Sequence, residues 1–230
     1  MTHAGYQQFC PVAMTAEILC TRWTVLVIRE LVAGSSRFND LRRGVPKMSP
    51  SLLSQRLKEL EEHGIVERRA IPREHGLHEY RLTPSGRDLV PVIEAFGKWG
   101  QKWVESGLTL RNLDPSLLMW DMRRNLDPAP LPDQRTVIQF VFSDVSRGPR
   151  EYWLVVEPKG DVDLCSTDPG FDVDLLVATD VRTMTAIWMG LATVKDSRHS
   201  IEFEGDRGIA ATMQKWLGLS PFATSERLAS

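Results

Sequence analysis

Apolar residues recur at helical spacing over residues 12–20 and, more densely, over WTVLVIRELV at residues 23–32, where Gly34 is placed to stop the second run. Ser36 can cap a short helix over RFNDLRR in which Phe38 and Leu41 share a side, and Gly44 and Pro46 break it. The segment MSPSLLSQRLKELEEHG has the cleanest boundaries in the chain: Ser49 as N-cap, Pro50 at the first helical position and Gly64 as the C-terminal cap. At about 100° per residue Leu53, Leu57 and Leu60 fall on one face with Leu52 at its edge, opposite Ser51, Ser54, Gln55, Lys58 and Glu62. After Gly64 the period drops to two. IVERRAI and LHEYRLT alternate around PREHG, which predicts a β-hairpin with Arg73, Glu74 and His75 at its tip. Thr83-Pro84 then opens a helix over 84–106, where Val92, Phe96, Trp99 and Trp103 repeat at spacings of four, three and four.

The pattern changes after about Leu110. DPSLLMWDMRRNL predicts a helix with an Asp cap, and DPAPLPD a proline-rich connector. Four alternating strands follow (RTVIQFVF, REYWLVVE, DVDLCS, DVDLLVAT), with Lys159-Gly160 turning between the second and third and Pro169-Gly170 between the third and fourth. Asp180 caps a helix carrying Val181, Met184, Ile187 and Trp188; a strand SIEFE and a closing helix IAATMQKWLGL complete the chain. At 230 residues two domains are expected: 1–110, a helix-turn-helix followed by a β-hairpin wing, and 111–230, an antiparallel sheet-and-helix unit. The fold class is α+β.

Charge sharpens this division. The whole chain is close to neutral at −2, but residues 1–110 carry 15 Lys/Arg against 12 Asp/Glu, and residues 111–230 carry 13 against 18. Between residues 37 and 58, Arg37, Arg42, Arg43, Lys47, Arg56 and Lys58 face only Asp40. The exposed face of the 50–62 helix begins with small or neutral hydrogen-bonding residues and one cation. Such a face suits the major groove of double-stranded DNA: Ser49, Ser51 and Ser54 allow close approach, Gln55 offers an amide to a base edge, and Arg37, Lys58 and the wing-tip Arg73 reach phosphates. Phe96, Trp99 and Trp103 exceed what a small winged domain buries, which points to a homodimer interface.

Other chemistry is thin. The five histidines show no HExxH spacing, and no GxSxG, Walker loop or GxGxxG is present, so no enzyme activity, cofactor or metal is expected. Asp161, Asp163, Asp172 and Asp174 alternate as an acidic surface ladder rather than around a calcium loop. No apolar run reaches the roughly 18 residues of a membrane span and the N-terminus lacks a signal-peptide core, which predicts a cytoplasmic protein without a membrane partner. Cys10, Cys20 and Cys165 are too scattered for a disulfide framework, and Cys20 is expected in the core.

The order CPV, TRWTVLVIRELVAGSSRFNDLRR, SPSLLSQRLKELEEHGIVERR and EYRLTPSGRDL resembles the HxlR family of winged-helix regulators, relatives of the MarR type, over about residues 9–105. The resemblance implies a homodimer acting on palindromic operator DNA, with Arg37 and Phe38 opening the second helix and residues 49–58 in the recognition helix. At the wing the chain reads HGLHEY, where members often carry a proline-rich tip. Cys10, in Phe-Cys-Pro-Val, matches a cysteine that senses oxidants or electrophiles in some members; its alternative is an inert packed thiol. Residues 114–220 resemble a sterol-carrier-protein-2-like domain in layout. That implies an apolar tunnel, for which Trp120, Trp153, Trp188 and Phe203 are the lining candidates, although a core stocked with bulky side chains gives the same inventory. Three functions stand open: a regulator responding to an apolar effector, a thiol-sensing regulator whose second domain docks or dimerises, and a lipid carrier.

Overall fold

The computed structural model describes residues 5–72, 74, 76–105 and 110–228. It divides into two compact units, one ending at Gly97 and one starting at Lys98.

In the first unit α1 (Pro11–Leu19), α2 (Thr24–Val32), α3 (Phe38–Gly44) and α4 (Pro50–Glu62) are followed by β1 (Val66–Ala70) and β2 (His78–Leu82). Val27, Ile28, Leu41, Leu53, Leu57 and Leu60 form its core, so the three leucines of α4 face inward as their spacing requires. Cys20 departs from expectation: it caps α1 and is exposed, because the helix ends at Leu19 and the chain turns there. β1 and β2 pair antiparallel with Arg68 opposite Tyr80. The predicted 84–106 helix is two helices, α5 (Pro84–Arg87) and α6 (Val90–Trp103). Pro91 has no N–H to donate and its ring crowds the preceding turn, so the helix restarts there.

Below the core apolar layer lies a polar knot. The Glu30 side chain is fully buried and accepts from Arg29 Nη2 at 2.7 Å and from Ser35 Oγ at 3.3 Å. Arg29 Nη2 also donates to the Gly44 carbonyl at 2.8 Å, tying the end of α3 to α2. A Cβ at Gly44 would overlap the Glu30 carboxylate, so any side chain there requires the Glu30 carboxylate to shift from its partners.

The second unit holds α7 (Pro115–Asn125), β3 (Thr136–Phe142), β4 (Glu151–Val156), β5 (Val162–Cys165), β6 (Leu175–Thr179), α8 (Val181–Trp188), β7 (Glu202–Gly205), α9 (Arg207–Ala211) and α10 (Met213–Trp216). Strand order is β5-β4-β3-β6-β7. The sheet is mixed rather than antiparallel, since β3 and β6 run parallel with Phe140 opposite Val177. Residues 166–174 carry the chain from edge strand β5 back to the far side of β3, and Asp174 fixes the entry by accepting the Val137 N–H at 2.7 Å. Asp174 therefore belongs to strand alignment, not to a surface ladder. Alternation defines faces but not strand direction, which is why this pairing is invisible in the pattern.

One sheet face, with Ile138, Phe140, Phe142, Leu154 and Val177, packs on Met119, Met122, Met184, Ile187 and Trp216. Phe140 meets the Trp216 ring edge-on at 6.5 Å, and Trp216 Nε1 donates to the Ile209 carbonyl at 2.8 Å. The other face carries a small cluster of Val137, Trp153 and Val155. No single helix among the described residues is long and apolar enough to cross a membrane; α1 and α2 together have the length but bend by 84°.

Gly44→Ala is expected to destabilise the first unit by about 1–3 kcal/mol through overpacking against Glu30, read as a lowered urea midpoint. An unchanged midpoint would mean that the knot yields freely.

Candidate nucleic-acid interface

α4 presents the face its sequence requires. Ser49 caps it, Oγ accepting the Leu52 N–H at 3.3 Å, and Gly64 follows its end at φ 66°. Ser49, Ser51, Ser54, Gln55 and Lys58 are exposed together on the side away from Leu53, Leu57 and Leu60. The structure thus brings these five candidates onto one surface.

The cations around them are mostly spoken for. Arg37 makes a bidentate pair with Glu74 of the wing, Nη2 to Oε1 at 2.6 Å and Nη1 to Oε2 at 3.1 Å. That contact raises the Arg37 pKa, mainly through the Glu74 hydrogen bond. Arg56 is largely buried between Glu59 and the Arg22 carbonyl, and it serves packing. Lys58 lies 3.7 Å from Glu62, and Gln55 Nε2 donates to Glu59 at 2.9 Å. Arg43 lies 3.7 Å from Asp40. Arg42 and Lys47 are exposed with no carboxylate within 4 Å among the described residues. Counting charges finds these two but cannot rank them, because ion pairing is a property of the fold.

The wing is sewn to α3. The Tyr80 N–H donates to the Ser36 carbonyl at 2.8 Å and Arg37 forms a single antiparallel β-bridge with Glu79, so the residues just before α3 lie against the edge of the two-stranded hairpin. Arg68 and Arg69 are exposed on β1, with Arg69 paired to Glu67. Arg73 and His75 lie outside the described residues.

Phe96, Trp99 and Trp103 are all more than half exposed along α6, with Val92 beside them. Near the N-terminus Tyr6, Phe9, Val12 and Met14 are exposed too; Phe9, at 98%, was not anticipated as part of an apolar surface. Only the helical spacing of Val12 hinted at it.

Cys10 is exposed at the start of α1. Its thiol makes no capping hydrogen bond of ordinary length. The amides of Ala13 first and Val12 second nonetheless favour the thiolate and lower its pKa.

The four aromatic residues expected around a tunnel do not converge. Trp188 is in the main core of the second unit and Phe203 packs against that core, but Trp153 is on the opposite sheet face. Trp120 is buried with the Arg123 guanidinium 4.8 Å from its ring centre. Among the described residues no group of three or more His, Cys, Asp or Glu is placed to hold a metal ion.

The model of the HxlR-like helix-turn-helix family matches residues 18–107. An uncharacterised HTH-type transcriptional regulator of Bacillus subtilis, YvaP, is 37% identical over 99 residues, which cover 43% of this chain and 92% of YvaP. The HTH-type transcriptional regulator YodB of the same organism is 35% identical over 44% of this chain and 91% of its own length. A solved structure of quinone-bound YodB is 34% identical, covering 40% of this chain and 97% of that chain at a TM-score of 0.35. The relatives are named as regulators and none as an enzyme. The chain belongs to the HxlR-like helix-turn-helix family and is a DNA-binding transcriptional regulator.

Proposed function

We propose that the protein acts in the cytoplasm as a homodimer on palindromic double-stranded DNA, with α4 in the major groove and the wing against the adjacent backbone. The observation that carries this reading is the register of α4. Its leucines are buried, so Ser51, Ser54, Gln55 and Lys58 are presented as one small, polar, exposed face. Ser49 shapes the start of that helix. Arg42 and Lys47 are the unpaired cations beside it and take the phosphate role more readily than Arg37, which holds the wing. The exposed aromatic face of α6 (Phe96, Trp99, Trp103) supplies the dimer contact. The second unit, whose sequence resembles a sterol-carrier-protein-2-like domain in layout, takes an apolar effector or extends the dimer.

Cys10 favours a second reading, in which electrophiles or oxidants act through its thiolate. An exposed thiol beside the helix-start amides is where such chemistry is expected.

Lys47→Ala and Arg42→Ala are expected to weaken operator and random duplex alike and to reduce the salt slope by about one phosphate equivalent each, measured by fluorescence anisotropy at several salt concentrations. Gln55→Ala should instead change the operator-to-random ratio by about 1–3 kcal/mol. A ratio that stays constant would overturn the placement of α4.

Glu74→Gln should tighten binding to both duplexes by about 0.5–1 kcal/mol, because it frees Arg37 and removes a carboxylate from the wing. Weakened binding would instead assign the pair a role in holding the wing in its DNA-competent position. Trp99→Asp should shift the sedimenting species toward monomer; an unchanged dimer would move the interface elsewhere.

In a Cys20→Ser/Cys165→Ser background, alkylation of Cys10 by iodoacetamide should reach half its limiting rate at a lower pH than that of an unstructured cysteine peptide treated alongside, whose midpoint is the ordinary value. The sign follows from a lowered pKa, which leaves more thiolate at any pH beneath it. A midpoint at or above the ordinary value would remove the support for thiol sensing.

A further inference from the structure

The second unit carries a cleft of about 690 Å³ bounded by β7, by the segment after α8 and by α9–α10. Its chemistry differs from that of the sequence around it. Residues 111–230 are net acidic, yet the cleft is lined by Lys195, Arg198 and Arg207 and by no carboxylate. The acids adjoining in sequence are occupied or turned away. Asp196 accepts from Thr193 Oγ1 at 2.6 Å, and Asp206 caps α9 through the Gly208 and Ile209 N–H groups. Glu202 and Glu204 alternate with Phe203 along β7, so they belong to the other sheet face.

Among the described residues none of the three cations has a carboxylate within 4 Å, and Lys195 and Arg207 have no side-chain hydrogen bond. Arg198 is stacked on Phe203, its guanidinium carbon 4.5 Å from the ring centre, which fixes the group while leaving its N–H edge unpaired. Gln214 ties α10 to the segment carrying Lys195, its Oε1 accepting the Val194 N–H at 2.8 Å, and among the described residues its amide nitrogen has no acceptor. The apolar floor is Phe203, which reaches down to the main core.

We propose that this cleft binds a small amphipathic carboxylate, with the anion among Lys195, Arg198, Arg207 and the Gln214 amide and the hydrocarbon or aromatic body along Phe203. The inference narrows the effector reading above from apolar to anionic, and it stands on the second unit alone. Three like charges gathered without a counter-charge are stabilised when an anion enters. A stacked arginine with its fork exposed matches a carboxylate's two oxygens.

Isothermal titration of the full chain, without DNA, with 2-naphthoate and with its neutral counterpart 2-naphthamide tests this. Naphthoate is expected to bind at least tenfold more tightly, and the charge-reversed Lys195→Glu/Arg207→Glu protein should lose that preference while keeping its thermal midpoint. If that protein melts early, the milder Lys195→Gln/Arg207→Gln pair should still cut the preference several-fold. Equal affinity for the two compounds, or a preference untouched by either variant, overturns the proposal. Because no DNA is present, a failure here leaves the reading of α4 intact, and a failure of operator binding leaves this result intact.

Discussion

The helix-turn-helix depends on one buried carboxylate. A carboxyl side chain with no exposure is tolerated only when it is paired and hydrogen-bonded, and Glu30 obtains this from two parts of the chain at once. Arg29 comes from the same helix and must then satisfy the Gly44 carbonyl; Ser35 comes from the loop beyond α2. The end of α3 is thereby held against α2 at a spacing where a Cβ at Gly44 would displace the Glu30 carboxylate. The turn leading into α4 starts from that fixed point, and the burial of Leu53, Leu57 and Leu60 then sets the direction in which Ser51, Ser54 and Gln55 face.

The same economy governs the surface charges. Arg37, Arg43, Arg56 and Lys58 each have a carboxylate nearby, so the patch presents a weaker field than its composition suggests. Exposed pairs of this kind are worth little in water, about 0–1 kcal/mol. Arg56 is different. Its side chain is only 13% exposed, and replacing its partners would disturb the join between α4 and the α1–α2 turn.

What the sequence disclosed follows a physical division. Local rules act within a few residues, and they placed α4 from Ser49 to Gly64, the Asp180 cap of α8 and the strands of the second unit to within two residues, except β6, which starts three residues later than its alternating pattern because Asp172 to Asp174 belong to the connection that enters it. Non-local pairing escaped them. The parallel register of β3 with β6, the Arg37–Glu74 pair and the position of Trp153 on the far sheet face all depend on contacts between residues distant in sequence. The break between α5 and α6 has a local signal in Pro91, which the regular aromatic spacing after it masks. The cleft around Arg198 was the least visible. Its cations are dispersed between residues 195 and 207 among acids that the fold occupies or turns to another face.

These features constrain any regulatory account. An effector changes DNA affinity only by binding unequally to the DNA-competent and DNA-incompetent states, and linkage makes the effect mutual. If an anionic ligand in the Arg198 cleft weakens operator binding tenfold, saturating operator must weaken that ligand tenfold as well, an energy of about 1.4 kcal/mol in either direction. A thiol adduct at Cys10 obeys no such reciprocity, because a covalent product does not return to equilibrium with free reagent on the same timescale. Titrating naphthoate into the protein with and without saturating operator therefore separates the two inputs. Equal affinities would leave the cleft as a ligand site uncoupled from DNA and put the burden of signalling on the N-terminal thiol.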